Sequence, residues 1–175
     1  AAAAIATQHL LDMGHRKIGY AGAAPAATQQ PTEFPPAVTE FPQHKGYWST
    51  MRQAGIDELA SLGFYSGGYF REDVIDMLSR YLEKQRGKLT ALVCDMDYHA
   101  AQIFSAAMKA GIAIPDNLSV VGIGNTPWSE ALNPGLTSVS AEAEELARLA
   151  LLLCGQEPIS KVAVFKATPK LVIRN

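Results

Sequence analysis

A chain of 175 residues in which 48% of side chains are hydrophobic and 18% are charged can build a packed core and falls outside the disordered class. Its formal net charge of -2 leaves no basic face of the kind that binds nucleic-acid phosphates, so any DNA contact is expected from residues other than these. No apolar run reaches the roughly 18 residues of a membrane span, no secretory leader is visible, and Cys94 and Cys154 read as separate buried thiols of a reducing, cytoplasmic compartment.

The opening AAAAIATQHLLDMGH carries apolar residues at helical spacing from Ala2 to Met13, and Gly14 follows as a helix stop. It reads as a helix entered midway, as expected if the chain begins inside a longer protein. Lys17 to Gly22 is a short apolar run and predicts a buried strand. Ala23 to Pro42 contains five prolines and predicts a long loop. Gln43 to Ala54 predicts a helix, Leu59 to Tyr65 a short strand, and Glu72 to Gln85 an amphipathic helix. Leu89 to Asp95 predicts a buried strand, followed by a helix from Asp97, read as its N-cap, to about Ala110. Leu118 to Ile123 predicts another strand, then a loop to about Ser140 and a helix over Ala141 to Cys154. Val162 to Phe165 and Leu171 to Ile173 predict two short closing strands.

Near-continuous apolar strands alternating with helices predict an α/β fold, a mostly parallel sheet with helices on both faces. Ligands of such sheets bind beyond the carboxyl ends of the strands. That rule selects Ala23 onward, Phe64 to Gly67, Asp95 to Asp97, and Gly124 to Trp128.

The last of these, in VVGIGNTPWSE, contains Gly122-x-Gly124. It fails as a dinucleotide fingerprint, because the third glycine position is Pro127 and Pro127-Trp128 is a poor helix opening. His9, His15, His44 and His99 lack metal-ligand spacing, so no metal is expected. Asp95 and Asp97 near a strand end form an imaginable catalytic pair, but no nucleophile elbow or phosphate loop accompanies them. Phe64, Tyr65 and Trp128 either stack on a ligand or plug the top of the sheet, and the sequence leaves both readings open. The spacing alone gives a ligand-binding module without catalytic machinery and without a cofactor.

Five segments in order resemble the LacI/GalR family of bacterial transcription regulators. They are His9-Leu10-Leu11 with Gly14-His15-Arg16-Lys17-Ile18-Gly19, Gly46-Tyr47, Thr90-Ala91-Leu92-Val93 with Asp97 and Ala100, Gly111-Ile112 through Pro115-Asp116-Asn117-Leu118-Ser119-Val120-Val121-Gly122, and Pro134-Gly135-Leu136-Thr137-Ser138-Val139. The resemblance implies a periplasmic-binding-protein-like (type I) sensor with two subdomains and a sugar-sized cleft between them. It places 1–138 and 157–175 in the C-terminal subdomain, and 139–156 in a crossover helix that packs on an N-terminal subdomain outside this chain. It also implies a DNA-binding headpiece outside this chain that contacts operator DNA, and a homodimer.

Carried over residue by residue, the resemblance points to Gln43, Phe64, Asp97 and Asn125 as effector contacts, with Met96, Gly124 and Trp128 shaping the wall. It also departs from the family pattern. Gln43 stands where an arginine is usual, Met96 replaces an asparagine, and Gly124 replaces the first of two aspartates. Hydrogen bonding of vicinal hydroxyls needs amides, carboxylates or guanidinium, which Met96 and Gly124 lack. Sugars, sugar acids and sugar phosphates therefore all stay open as effectors, and so does a sensor without a ligand. Phe104 and Met108 either face a dimer partner or belong to the core. A transporter's solute-binding protein shares the architecture and is the rival reading.

Overall fold

A computed structural model describes residues 1–22, 42–57, 63–65, 73–154 and 166–174, without the side chains of residues 42, 43 and 65. The predicted loop from Ala23 and the predicted strand Val162 to Phe165 lie outside the described residues, apart from the end of the loop at Pro42. In chain order the elements are α1 (Ala2–Asp12), β1 (Ile18–Gly22), α2 (Pro42–Gln53), β2 (Gly63–Tyr65), α3 (Val74–Lys84) and β3 (Ala91–Cys94). They continue as α4 (Asp97–Lys109), β4 (Ser119–Gly124), α5 (Pro127–Ala131), β5 (Thr137–Ser140), α6 (Ala143–Cys154) and β6 (Lys170–Val172).

The strands form one sheet in the order β2-β1-β3-β4-β5-β6. All neighbours are parallel except β5 and β6, which are antiparallel. The pleat sends alternate side chains to opposite faces. Ile18, Tyr20, Ala91, Val93, Val121 and Ile123 meet Leu10, Tyr47 and Met51 of α1 and α2 in one core. Ala21, Leu92, Cys94 and Val120 meet Leu78, Leu82, Ile103 and Ala107 of α3 and α4 in the other. Both faces are thus covered, and this is why β1 and β3 are buried along their whole length and read as unbroken apolar runs. α1 stops at Gly14, which has φ 92°. The Gly14 and His15 N–H groups donate to the Leu11 and Leu10 carbonyls, and α2 and α4 end in the same way.

Three expectations are corrected. The region from Gly124 to Ser140 is not one loop. It contains α5, opened by Pro127 in the first turn where a missing N–H costs nothing, and the strand β5. Asp97 is not the N-cap of α4: the cap position is Met96, in extended conformation, and Asp97 is the first helical residue. Val139 and Ser140 belong to β5, and α6 begins only at Ala143.

The register sets the functional edge. Gly22 lies beside Tyr65, Ala21 beside Cys94, Val93 beside Val121, and Gly124 beside Ser140. The five parallel strands therefore end along one side of the sheet. α6, in contrast, buries none of its residues, and Leu146, Leu151 and Leu152 are exposed. No helix among the described residues is long and apolar enough to cross a membrane.

Candidate functional site

The strand-end edge is organised around Asp97. Its side chain is fully buried. Oδ2 accepts hydrogen bonds from the Thr126 backbone N–H at 2.6 Å and the Thr126 hydroxyl at 2.9 Å. Oδ1 accepts from the Ser138 hydroxyl at 2.6 Å, and Ser138 Oγ in turn accepts from the Asn125 N–H at 3.0 Å. One carboxylate thus ties the start of α4 to the loop after β4 and to β5.

The Gly-x-Gly pair makes room for this tie. A Cβ on Gly122 would overlap Asp97 Oδ1 and lie 2.8 Å from Leu136 Cδ2. Gly124 has φ 129° and Asn125 φ 50°, a left-handed pair that aims the next two N–H groups at Ser138 and Asp97. The glycines that suggest a pyrophosphate loop therefore accommodate an internal carboxylate.

Asn125 is held from the other side. Its Oδ1 accepts from Arg174 Nη2 at 2.9 Å. The Arg174 guanidinium also donates to the Leu136 carbonyl at 3.0 Å and to Glu130 at 3.2 Å. Arg174 was not among the residues that the sequence pointed to. Its only sequence signal is its place just after the closing strand.

Beside this loop lies an open pocket of about 570 Å³, lined by Gly124, Asn125 and Ser140, by Glu142 just before α6, and by Glu144 and Glu145 in its first turn. Glu142 is held below its ordinary pKa by a hydrogen bond from Lys170 at 2.8 Å, and Glu145 by the paired Arg148. Both carboxyls are held toward the ionised form, and among the described residues of the pocket lining Arg148 is the one cation.

Trp128 is 50% exposed and meets Tyr98 edge-on, with centroids 5.9 Å apart. Tyr98, one residue into α4, is a second aromatic on this edge that the sequence reading missed. Met96 is half-buried at the head of α4. Asp95 and His99 are hydrogen-bonded to each other across one turn, and a Cβ on Gly22 would lie 2.6 Å from Asp95 Oδ2. Burial, followed by Asp95 and Asp97, pushes the Cys94 thiol well above its ordinary pKa. Cys94 is buried as expected, whereas Cys154 is exposed. No cluster among the described residues could hold a metal ion.

Of the expected effector contacts, Gly124 and Asn125 line the pocket, and Trp128 stands exposed near them in α5. Phe64 is only 6% exposed, packs on Tyr81 at 5.2 Å and lines a small separate pocket with Gly22 and His99. Asp97 is buried and engaged by three donors, which makes it scaffold in this arrangement. The Gln43 side chain lies outside the described residues. Phe104 is half-buried against the α3–α4 core, and Met108 is 80% exposed and not core.

A family model described as a periplasmic binding protein-like domain matches residues 7–174. The HTH-type transcriptional repressor PurR of Mannheimia succiniciproducens is 30% identical over 173 residues, covering 97% of this chain and 48% of the repressor. The chain spans about half the length of the curated relatives it matches. A LacI family transcriptional regulator from Mycobacterium smegmatis is similar in structure, with TM-score 0.73 and 25% identity over 99% of this chain and 61% of that one. A LacI family regulator from Enterococcus faecium, solved with bound ribose, has TM-score 0.69 and 20% identity over 87% of this chain and 52% of that one, a likeness of fold.

Proposed function

From the premise that the chain belongs to the periplasmic binding protein-like domain family, we propose that it is the effector-sensing part of a LacI/GalR-type transcription regulator that acts as a repressor. A small molecule of the sugar class occupies the pocket beyond the strand ends. The observation that carries this reading is the open pocket where Gly124 and Asn125 meet the start of α6. Asn125 contacts the effector, and Gly124, Met96 and Trp128 shape the wall. Gln43 is a further contact in this reading.

Among the described residues α6 has no fully buried side chain, and Leu146, Leu151 and Leu152 are exposed. Its leucines therefore suit the surface of a second subdomain, which completes the cleft. A ligand that prefers one orientation of the two subdomains shifts the balance between operator-binding and released states of a homodimer. A headpiece outside these residues makes the DNA contact, in keeping with the net charge of -2.

The test is a thermal-shift screen of the full-length protein against sugars, sugar acids and sugar phosphates, followed by a gel shift on the protein's own promoter DNA. A ligand at about 100 times its Kd adds about 2.7 kcal/mol. The relatives are about twice the length of this chain, and for a protein of that size the gain raises Tm by roughly 3–5 °C. The expected result is one ligand class that raises Tm and changes DNA affinity. No shift across the whole panel refutes the effector reading. Ligand binding without DNA binding favours a solute-binding protein instead.

A further inference from the structure

The Asn125 amide sits between Arg174 and the pocket. A guanidinium carries only N–H donors, so the amide atom 2.9 Å from Arg174 Nη2 is the carbonyl oxygen. Ser129 Oγ lies 3.5 Å from the same oxygen, so the NH2 group is the end of the amide left for a ligand. Arg174 is itself anchored: Nη1 donates to the Leu136 carbonyl, its backbone N–H donates to Thr137 Oγ1 at 3.0 Å, and its side chain is 18% exposed. Flipping the Asn125 amide would set donor against donor. At this position the loop offers the pocket a hydrogen-bond donor, where an aspartate would offer an acceptor.

The charges around the pocket point the same way. Among the described residues, Glu142, Glu144 and Glu145 face Arg148 on the lining, with Lys170 paired to Glu142, and Arg174 behind Asn125 paired to Glu130. Asp97 Oδ2 lies 3.5 Å from where a side chain on Gly124 would begin. An anionic group entering beside Gly124 meets this excess of carboxylates.

We infer that Arg174 is a positioning residue that makes Asn125 a donor, and that the pocket takes an uncharged effector presenting an acceptor oxygen and rejects its anionic counterpart. This rests on the proposed function and narrows it: the absence of a carboxylate at Gly124 does not open the site to sugar phosphates or sugar acids.

The test titrates the full-length protein with matched pairs, ribose against ribose 5-phosphate and glucose against glucose 6-phosphate. The neutral member of the pair that binds is expected to bind at least tenfold more tightly. Asn125→Asp keeps an oxygen for Arg174 but removes the donor. It is expected to weaken the neutral sugar at least fivefold while the unliganded Tm holds or rises. Arg174→Ala is expected to weaken the neutral sugar, and Arg174→Lys to recover part of the loss. Replacing Glu142, Glu144 and Glu145 together by Gln is expected to narrow the preference for the neutral member. A phosphate that binds the wild type as tightly as its neutral partner, or an Asn125→Asp variant with unchanged affinity, overturns the inference and leaves the proposed function standing. If none of the four binds, the matched pair is drawn from the ligand class that the thermal-shift panel detects, and a panel without any binder removes the proposed function and this inference with it.

Discussion

Replacing Asp97 by Ala separates a scaffold from a ligand contact. The variant removes the acceptor of three hydrogen bonds. Ser138 is fully buried, so its hydroxyl is stranded at a cost of about 1–3 kcal/mol. Thr126 is exposed, so its N–H and hydroxyl recover water and each loses only about 0.5–1.5 kcal/mol. Relief of the buried carboxylate's desolvation offsets part of this sum. The expected net loss is about 3 kcal/mol, or roughly 6–12 °C in Tm. Asp97→Asn keeps an oxygen for Thr126 and misplaces only the Ser138 bond, so about half the loss is expected. The assay is urea unfolding of the 175-residue chain followed by tryptophan fluorescence, since Trp128 lies next to the Asp97 tie and Trp48 packs against the opposite core. An Asp97→Ala variant with an unchanged urea midpoint would refute the scaffold assignment. If it also lost effector binding in the full-length protein, Asp97 would return to the list of direct contacts.

Two further outcomes are expected. Gly122→Ala drives a methyl into Asp97 and Leu136 and should lower stability by about 1–3 kcal/mol, seen as a lower urea midpoint; an unchanged midpoint would show that the tie tolerates a side chain there. The pKa of His15 is lowered from the ordinary 6.5, first by burial and then by His9. The unfolded chain therefore takes up this proton more readily than the fold. The contribution is fully present above about pH 6.5 and is lost as pH falls through the folded pKa. His15→Asn should flatten that part of the stability profile, and a variant profile parallel to the wild type would contradict the assignment.

The layout of the fold is legible where burial makes strands apolar. β1, β3 and β4 announce themselves as runs of Ile, Leu, Val and Ala, and the strand-end rule then finds the edge that carries Gly124 and Asn125. β5 is invisible to hydropathy because its Thr137 and Ser138 are buried polar residues, satisfied by the Arg174 N–H and Asp97. α5 is five residues long and too short for a periodic pattern. Asp97 stands at the start of a helix and reads as a local cap, but its partners lie 29 and 41 residues away. Arg174 acts on Asn125 across 49 positions, and no local spacing rule reaches that far. Phe64 packs on Tyr81 of α3, a contact that no local spacing in the sequence announces.

The placement of α1 has a consequence for how the chain comes to fold. This first helix lies across β4, β5 and β6, more than a hundred residues downstream, as well as against α2. During synthesis the apolar face of Ala3, Ala6 and Leu10 is made more than a hundred residues before its partners Val121, Ile123 and Val139. Contacts of such long sequence separation slow folding, because the connecting chain must be closed before they form. The nascent chain therefore carries α1 covered only in part, by α2, until β4, β5 and β6 emerge, and in that interval it is most open to misassembly.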